Sequence, residues 1–181
     1  MKYYAGIGSR ETPESILNAF EKLGKKLAEM GITLRSGRAG GADSAFEKGA
    51  RSANGNCEIF IPWASFQKDG PLGTYPAIVF DSIHPEQKEA ALNSVRTYHP
   101  APDRLSNGAM KLMARNYCQI FGRAPQSPKD DFIVCWTKNG KACGGTGQAI
   151  RMAEDAGIKV FNAKGYEENP DAFVEYVIAN I

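Results

Sequence analysis

Long apolar runs are missing from this chain, and so are most of the residues that metal and thiol chemistry needs. No stretch of about 18 consecutive apolar residues occurs, so no segment reads as a membrane span. The opening Met1-Lys2-Tyr3-Tyr4 runs straight into a strand-like segment and lacks the apolar stretch of a signal peptide. The four cysteines, Cys57, Cys118, Cys135 and Cys143, show no Cys-x-x-Cys spacing, and only His84 and His99 accompany them. No zinc or other metal site is expected, and three of the cysteines sit in apolar segments as small core residues. The simplest reading is a reduced, cytoplasmic protein. Net charge is also scarce: 22 Lys and Arg against 20 Asp and Glu give +2. No broad basic face is implied, so any contact with a polyanion must come from local clustering of arginine and lysine. Internal repeats and low-complexity tails are absent as well.

What is present is an alternation of strand and helix patterns. Tyr3 to Ile7 reads as a buried strand. Thr12-Pro13-Glu14 reads as a helix start with Thr12 as cap, followed by Ile16, Phe20, Leu23, Leu27 and Met30 at helical spacing up to Gly31. Ile32 to Leu34 is a second strand, about Ala42 to Ser52 a helix, and Cys57 to Ile61 a third strand. This β-α-β-α-β order implies a parallel sheet. Residues 62–107 are rich in Pro, Gly and aromatics, with a short strand near Ala77 to Phe80 and a helix near Pro85 to Val95. Regularity returns with helices at Asn107 to Phe121, Thr146 to Ala156 and Asp171 to Ile181, and strands at Phe132 to Trp136 and Ile158 to Phe161. The expected fold class is α/β: a Rossmann-like, open, mainly parallel sheet of five or six strands with helices on both faces. The length of 181 residues favours one domain, 1–181, with an elaborated connection at about 62–107 lying on the sheet.

Three glycine-rich turns stand where a strand hands over to a helix: Gly6-Ile7-Gly8-Ser9-Arg10, Ser36-Gly37-Arg38-Ala39-Gly40-Gly41-Ala42-Asp43, and Cys143-Gly144-Gly145-Thr146-Gly147. Such junctions aim free backbone N–H groups and the positive end of a helix dipole at one spot, and in open α/β sheets ligands bind beyond the carboxyl ends of the strands. All three turns fall at that edge, which predicts one pocket for a phosphate-bearing ligand. Neither common phosphate fingerprint is complete. The first turn lacks the third glycine of Gly-x-Gly-x-x-Gly, and no Gly-Lys-Ser/Thr follows Gly41.

Each candidate residue has two readings. Gly8, Ser9 and Arg10 form either a phosphate grip, with Arg10 pairing two oxygens, or a tight turn with an exposed arginine. Asp43 either caps its helix or hydrogen-bonds ribose hydroxyls and orients Ser36 and Arg38. Gly37, Gly40 and Gly41 let the backbone wrap an anion. Thr146 can cap its helix and also donate to an anion, beside Gly144 and Gly145. Lys138 and Lys141 either cover the ligand or are solvated loop charges. Arg115 and Asn116 either point into the pocket or face solvent. Trp63, Phe66, Tyr75, Tyr98 and His99 either stack on a base or, more often, anchor a long loop.

Together these segments resemble the Rossmann-like core of the DNA-processing protein A (DprA/Smf) family, within the wider SLOG group. The likeness spans most of the chain in the same order. Gly8-Ser9-Arg10 looks like that family's opening Gly-Ser-Arg. Ser36 to Asp43 is similar to its Ser-Gly-Gly-Ala-x-Gly-Ile-Asp signature, differing at Arg38 and Ala42. Tyr75-Pro76 and Arg115-Asn116 look like its Tyr-Pro and Arg-Asn, and Gly144 to Ala149 occupies the place of its Ser-Gly-x-x-x-Thr-Ala segment. The resemblance implies a phosphate or nucleic-acid pocket at Arg10, Ser36, Gly37, Arg38, Arg115 and the last turn. DprA proteins bind single-stranded DNA and load a recombinase, and many SLOG domains bind nucleotides or nucleotide-derived signals. The connection before Arg115 is longer here, so full recombination-mediator activity is not expected.

A more distant likeness is to LOG-type nucleoside 5'-monophosphate phosphoribohydrolases, which carry Pro-Gly-Gly-x-Gly-Thr-x-x-Glu. Gly144-Gly145-Thr146-Gly147-Gln148 resembles its first part, but Arg151 stands in the glutamate's place. Breaking an N-glycosidic bond passes through a cationic sugar that a carboxylate stabilises, and an arginine opposes that. Glu154, Asp43, Glu47 and Asp81 stand as substitutes. The expected partner is a nucleotide or nucleotide-derived small molecule, bound without cofactor or metal, with N-glycosidic hydrolysis as the alternative. Single-stranded nucleic acid is expected to bind weakly unless subunits associate into a homo-oligomer.

Overall fold

A computed structural model describes residues 2–140 and 144–181. Lys141 and Cys143 lie outside the described residues. Six strands, β1 (Tyr3–Gly6), β2 (Thr33–Ser36), β3 (Cys57–Ile61), β4 (Ile78–Val79), β5 (Phe132–Cys135) and β6 (Lys159–Asn162), form one sheet in the order β4-β3-β2-β1-β5-β6. Every pairing is parallel. Helices α1 (Glu14–Glu29), α2 (Ala42–Ser52), α3 (Pro85–Tyr98), α4 (Asn107–Phe121), α5 (Gly144–Asp155) and α6 (Pro170–Ala179) cover both faces. The Rossmann-like α/β fold read from the alternation is the fold observed.

The register shows how the central strands present apolar side chains to both faces of the sheet. Tyr4 lies beside Leu34 and Phe132, and Ala5 beside Arg35 and Ile133. Successive strand residues point to opposite faces. Tyr4, Leu34, Phe132, Val134 and Trp136 therefore pack with Phe20 and Leu23 of α1, Phe46 of α2 and Phe173 of α6. Ala5, Ile133 and Cys135 pack with Ile120 of α4 and Ala149, Ile150 and Ala153 of α5. Both faces are covered, so the strands carry near-continuous hydrophobic runs rather than alternation. Residues 62–107 add β4 to the sheet edge and bring α3 onto α4, where Phe60, Phe80, Ala91, Val95, Ala114 and Cys118 form a further core cluster.

Strand order reverses between β1 and β5: β2, β3 and β4 run outward on one side, β5 and β6 on the other. A crevice opens at such a switch point beyond the carboxyl ends of the strands. One boundary differs from the sequence reading. Thr12 does not cap α1; Pro13 occupies that position without a side-chain cap. The Thr12 hydroxyl instead donates to the Ser9 carbonyl at 2.5 Å and closes the first glycine turn. Helix α5 likewise begins at Gly144, which puts Thr146 inside the first turn rather than at the cap.

Helices α1 and α2 touch through glycine. A Cβ on Gly49 would lie 2.0 Å from the Glu21 carbonyl oxygen and 3.0 Å from the Lys25 nitrogen, both backbone atoms of α1. Alanine's better helix propensity returns only about 1 kcal/mol, whereas overpacking costs about 1–3 kcal/mol. Gly49→Ala is expected to lower the thermal midpoint by several degrees, at roughly 2–4 °C per kcal/mol for a chain of this size. A midpoint unchanged or raised in a thermal melt contradicts this close approach.

Candidate functional site

The first turn is laid along β5. Ile7 N–H donates to the Val134 carbonyl at 3.1 Å and Ser9 N–H to that of Trp136 at 3.4 Å. Ser9 is occupied within the turn, its Oγ accepting from Glu11 N–H at 3.1 Å. Arg10 stands exposed at the rim, and its guanidinium enters none of the ion pairs among the described residues.

The second turn splits its residues between two tasks. Ser36 Oγ donates to the Gly6 carbonyl at 2.6 Å and is fully buried, so it pins β2 to β1 at the base of the turn. Arg38 adopts φ 54°, the left-handed region that a non-glycine residue rarely enters. That twist sends its guanidinium away from the turn's inner side. Nε and Nη2 donate to the Glu47 carboxylate at 3.0 and 2.6 Å, and Nη1 and Nη2 donate to the carbonyls of Tyr75 and Pro76 at 3.1 and 3.3 Å. Arg38 thus fastens the 62–77 connection to α2. Gly41 holds φ 87° at the start of α2.

Asp43, one residue into α2, turns inward. It is 5 % exposed and accepts the Ala39 N–H at 3.3 Å, with the N–H groups of Gly37 and Gly8 nearby. Burial pushes its pKa up to about 6, against the opposing pull of the Arg115 charge and of the three N–H groups.

Arg115, Asn116 and Gln119 come from α4 and are all buried. Asn116 Nδ2 donates to the Gly145 carbonyl at 3.3 Å, tying α4 to the first turn of α5, and Gln119 Nε2 donates to Asn116 Oδ1 at 3.4 Å. Arg115 is the exception. It is 4 % exposed, and its Nε and Nη1 have no hydrogen-bond partner. Gly37 makes the room: a Cβ there would lie 1.5 Å from Arg115 Nη1. The Phe66 ring covers the guanidinium at 5.5 Å. Burial holds the Arg115 pKa below the usual arginine range, nearby Asp43 works against this, and Arg10 adds to it.

These parts enclose one cavity of about 520 Å³ at the switch point. Gly8, Ser9, Arg10, Asp43, Arg115, Asn116, Gly144, Gly145 and Thr146 all line it. Ser36, Gly37, Arg38, Gly40 and Gly41 do not; they build its walls from behind. Sequence reasoning passed over Gln119, Glu11 and the apolar side formed by Leu112 and Met113. Gln119 was findable, since it sits four residues after Arg115 on the same helix face. Glu11 is paired with Lys138 across the rim at 3.2 Å.

A second hollow of about 520 Å³ lies between α1, α2 and residues 67–75. Its charged groups are already committed: Lys48 to Glu21 at 2.9 Å, Arg38 to Glu47 at 2.6 Å and Arg51 to Glu47 at 3.5 Å. Of these two hollows, the switch-point cavity combines an unpartnered cation with a helix N-terminus and two glycine turns, among the described residues. Among the described residues no group of three or more His, Cys, Asp or Glu is placed to hold a metal ion, and no helix is long and apolar enough to cross a membrane.

No protein-family model matches the chain, and no curated protein matches it. Among solved structures it is similar to the Moco carrier protein of Chlamydomonas rheinhardtii, with a TM-score of 0.51 and 17 % identity over 89 % of this chain and 74 % of that one. At that identity the likeness establishes a shared Rossmann-like fold.

Two substitutions separate the parts of this region. Arg38→Ala strands the fully buried Glu47 carboxylate and is expected to destabilise the fold by about 3–5 kcal/mol in denaturant titration. For Asp43, whose carboxyl group is the stronger proton binder when folded, the stabilising contribution is complete below pH 3.8 and disappears as pH rises through about 6. Asp43→Asn removes that dependence. The stability of the variant relative to the parent is therefore expected to improve by about 2–3 kcal/mol between pH 4 and pH 7. A difference that stays flat over this range contradicts the assignment.

Proposed function

We propose that this protein binds a nucleotide or a nucleotide-derived phosphate compound in the switch-point cavity, as a DprA/SLOG-like binding protein. The observation that carries the reading is Arg115. A buried guanidinium with no carboxylate hydrogen-bonded to it is costly, and an anion in the cavity that Arg115 lines would offer it a compensating charge. Arg10 adds a second cation at the rim. Backbone N–H groups of the α5 N-terminus, with Thr146, supply the polar contacts that such junctions offer an anion. Leu112 and Met113 provide an apolar side for a base or sugar, and about 520 Å³ is within the usual range for small-molecule sites. In this reading Ser36, Gly37, Arg38, Gly40 and Gly41 serve the ligand indirectly, through the shape of the second turn. The near-neutral charge of the chain favours a small ligand over the phosphates of a single strand.

Hydrolysis of a nucleoside monophosphate is the second reading, and one observation speaks for it. Of the carboxylates that might replace the one absent at Arg151, Asp43 alone lines the cavity. Glu47 is bound by Arg38 and Arg51, and Asp81 by Lys88 and Lys111 at 2.9 and 2.6 Å. Arg151 itself donates to the Tyr98 carbonyl at 2.9 Å. Free base released from AMP or CMP, and lost in Asp43→Asn, would promote this reading above binding.

The binding reading is tested at Arg115. Arg115→Met is expected to weaken AMP, CMP and inorganic phosphate at least about tenfold in calorimetric titration. The same variant should stay within about 1 kcal/mol of the parent in stability, because an unsatisfied buried group is removed. Unchanged binding, or a collapse of the fold, would make Arg115 structural.

A further inference from the structure

Resting on that reading, we propose that Asp43 is a built-in competitor of the bound anion: its carboxylate is the resident counter-ion of Arg115, and an anion enters together with a proton that neutralises it. Four charged side chains line the cavity among the described residues: Arg10, Glu11, Asp43 and Arg115. Glu11 is paired with Lys138 at 3.2 Å. Asp43 is therefore the carboxylate left to offset a guanidinium, and Arg115 is the charge that pulls on it. Both side chains are buried, where water screens charges poorly.

Yet the two close no ion pair among the described residues. Asp43 Oδ2 accepts the Ala39 N–H at 3.3 Å, so its short side chain is held by the second turn. Arg115 Nε and Nη1 stay without an acceptor. An anion drawn to Arg115 is repelled by the carboxylate in the same cavity, and protonation of Asp43 removes the repulsion while leaving the attraction. The other groups around Asp43 keep their partners. Glu47, one turn along α2, is bound by Arg38 and Arg51. The first turn brings Arg10 and the paired Glu11, and α4 brings Arg115 with the uncharged Asn116 and Gln119. Histidine is the usual residue to change charge near neutral pH, but His84 and His99 line neither hollow. Burial pushes the Asp43 pKa up to about 6. A bound anion, as a second negative charge nearby, raises it further. Anion affinity is therefore level below about pH 6, where Asp43 is already protonated, and falls as pH rises above it.

The test uses the intact protein and sulfate, an anion whose own charge does not change between about pH 5 and pH 8. Calorimetric titration in buffers of different ionisation enthalpy gives both the affinity and the number of protons taken up. Sulfate is expected to bind about tenfold more weakly at pH 7.5 than at pH 5.5, with proton uptake at the higher pH. Asp43→Asn keeps an acceptor for the Ala39 N–H. It should bind sulfate at pH 7.5 at least as tightly as the parent does at pH 5.5, with a flat profile and no proton uptake. A purely structural Asp43 moves neither the profile nor the proton count. If the variant does not fold, the profile and proton count of the parent decide. Parent affinity that stays flat or rises with pH, or weaker binding by folded Asp43→Asn at pH 7.5, overturns the inference. In that case loss of sulfate binding in Arg115→Met keeps the site reading standing. Absence of sulfate binding at both pH values, or binding unchanged in Arg115→Met, removes the site reading and the inference with it.

Discussion

Asp43 accepts the Ala39 N–H at 3.3 Å and faces the N–H groups of Gly37 in the same turn and of Gly8 in the first. One carboxylate on α2 therefore sets the distance between two loops that follow neighbouring strands. A parallel sheet makes this arrangement available, because it delivers the carboxyl ends of all its strands to the same edge. The sheet alone does not hold the loops in register with each other. Asp43 does, and its position in the first turn of α2 lets the helix dipole favour its charge. Burial works the other way and raises its pKa. The carboxylate is thus held between two opposing effects, and the cation that tips the balance toward ionisation is Arg115. The wall of the cavity and its charge depend on the same pair.

Three arginines are buried in this protein, and their surroundings divide them. Arg35 donates to Glu58 at 2.7 Å, to Asp130 at 3.0 Å and to the Pro128 carbonyl at 2.7 Å, and stacks on Tyr3 at 4.1 Å. Arg38 is equally saturated by Glu47, Tyr75 and Pro76. A buried ion pair of this kind contributes little net stability against an apolar replacement, but losing one partner is severe. Both therefore behave as fixed struts. Arg115 has the same burial and none of the partners.

The sheet was readable because both of its signals are local. Apolar runs with short glycine or proline boundaries mark β1, β2, β3, β5 and β6, and helical spacing marks α1 and α4. Convergence of the turns on one edge follows from parallel order. Side-chain direction was not readable. Arg38 and Arg10 both sit in glycine-rich turns, yet one is locked to Glu47 and the other is free at the rim. Arg38 reaches Glu47 from a left-handed φ of 54°, which residue type does not announce. The Thr12 hydroxyl similarly has two backbone targets within reach, and the Ser9 carbonyl wins once the first turn closes on β5. Arg115 and Asn116 looked equally suited to solvent, because the Met110, Met113, Tyr117 and Phe121 stripe gives one apolar face only. In the fold α4 lies under α3, beside α5 and above the sheet, so a polar face of the helix is buried as well.

A shared architecture at 17 % identity leaves the chemistry open, since one fold hosts many ligands. The residues narrow it. An enzyme cleaving an N-glycosidic bond needs a carboxylate free to face a developing cation. Here the carboxylate in the cavity accepts the Ala39 N–H, and Arg151, where the LOG pattern has its glutamate, is turned to Tyr98. A long single strand needs a basic track, and among the described residues Lys138 at the rim is already paired with Glu11. What remains is a recess with one sealed cation, one open cation and an apolar side. That combination gives the proposed ligand both a charged and an apolar surface to meet.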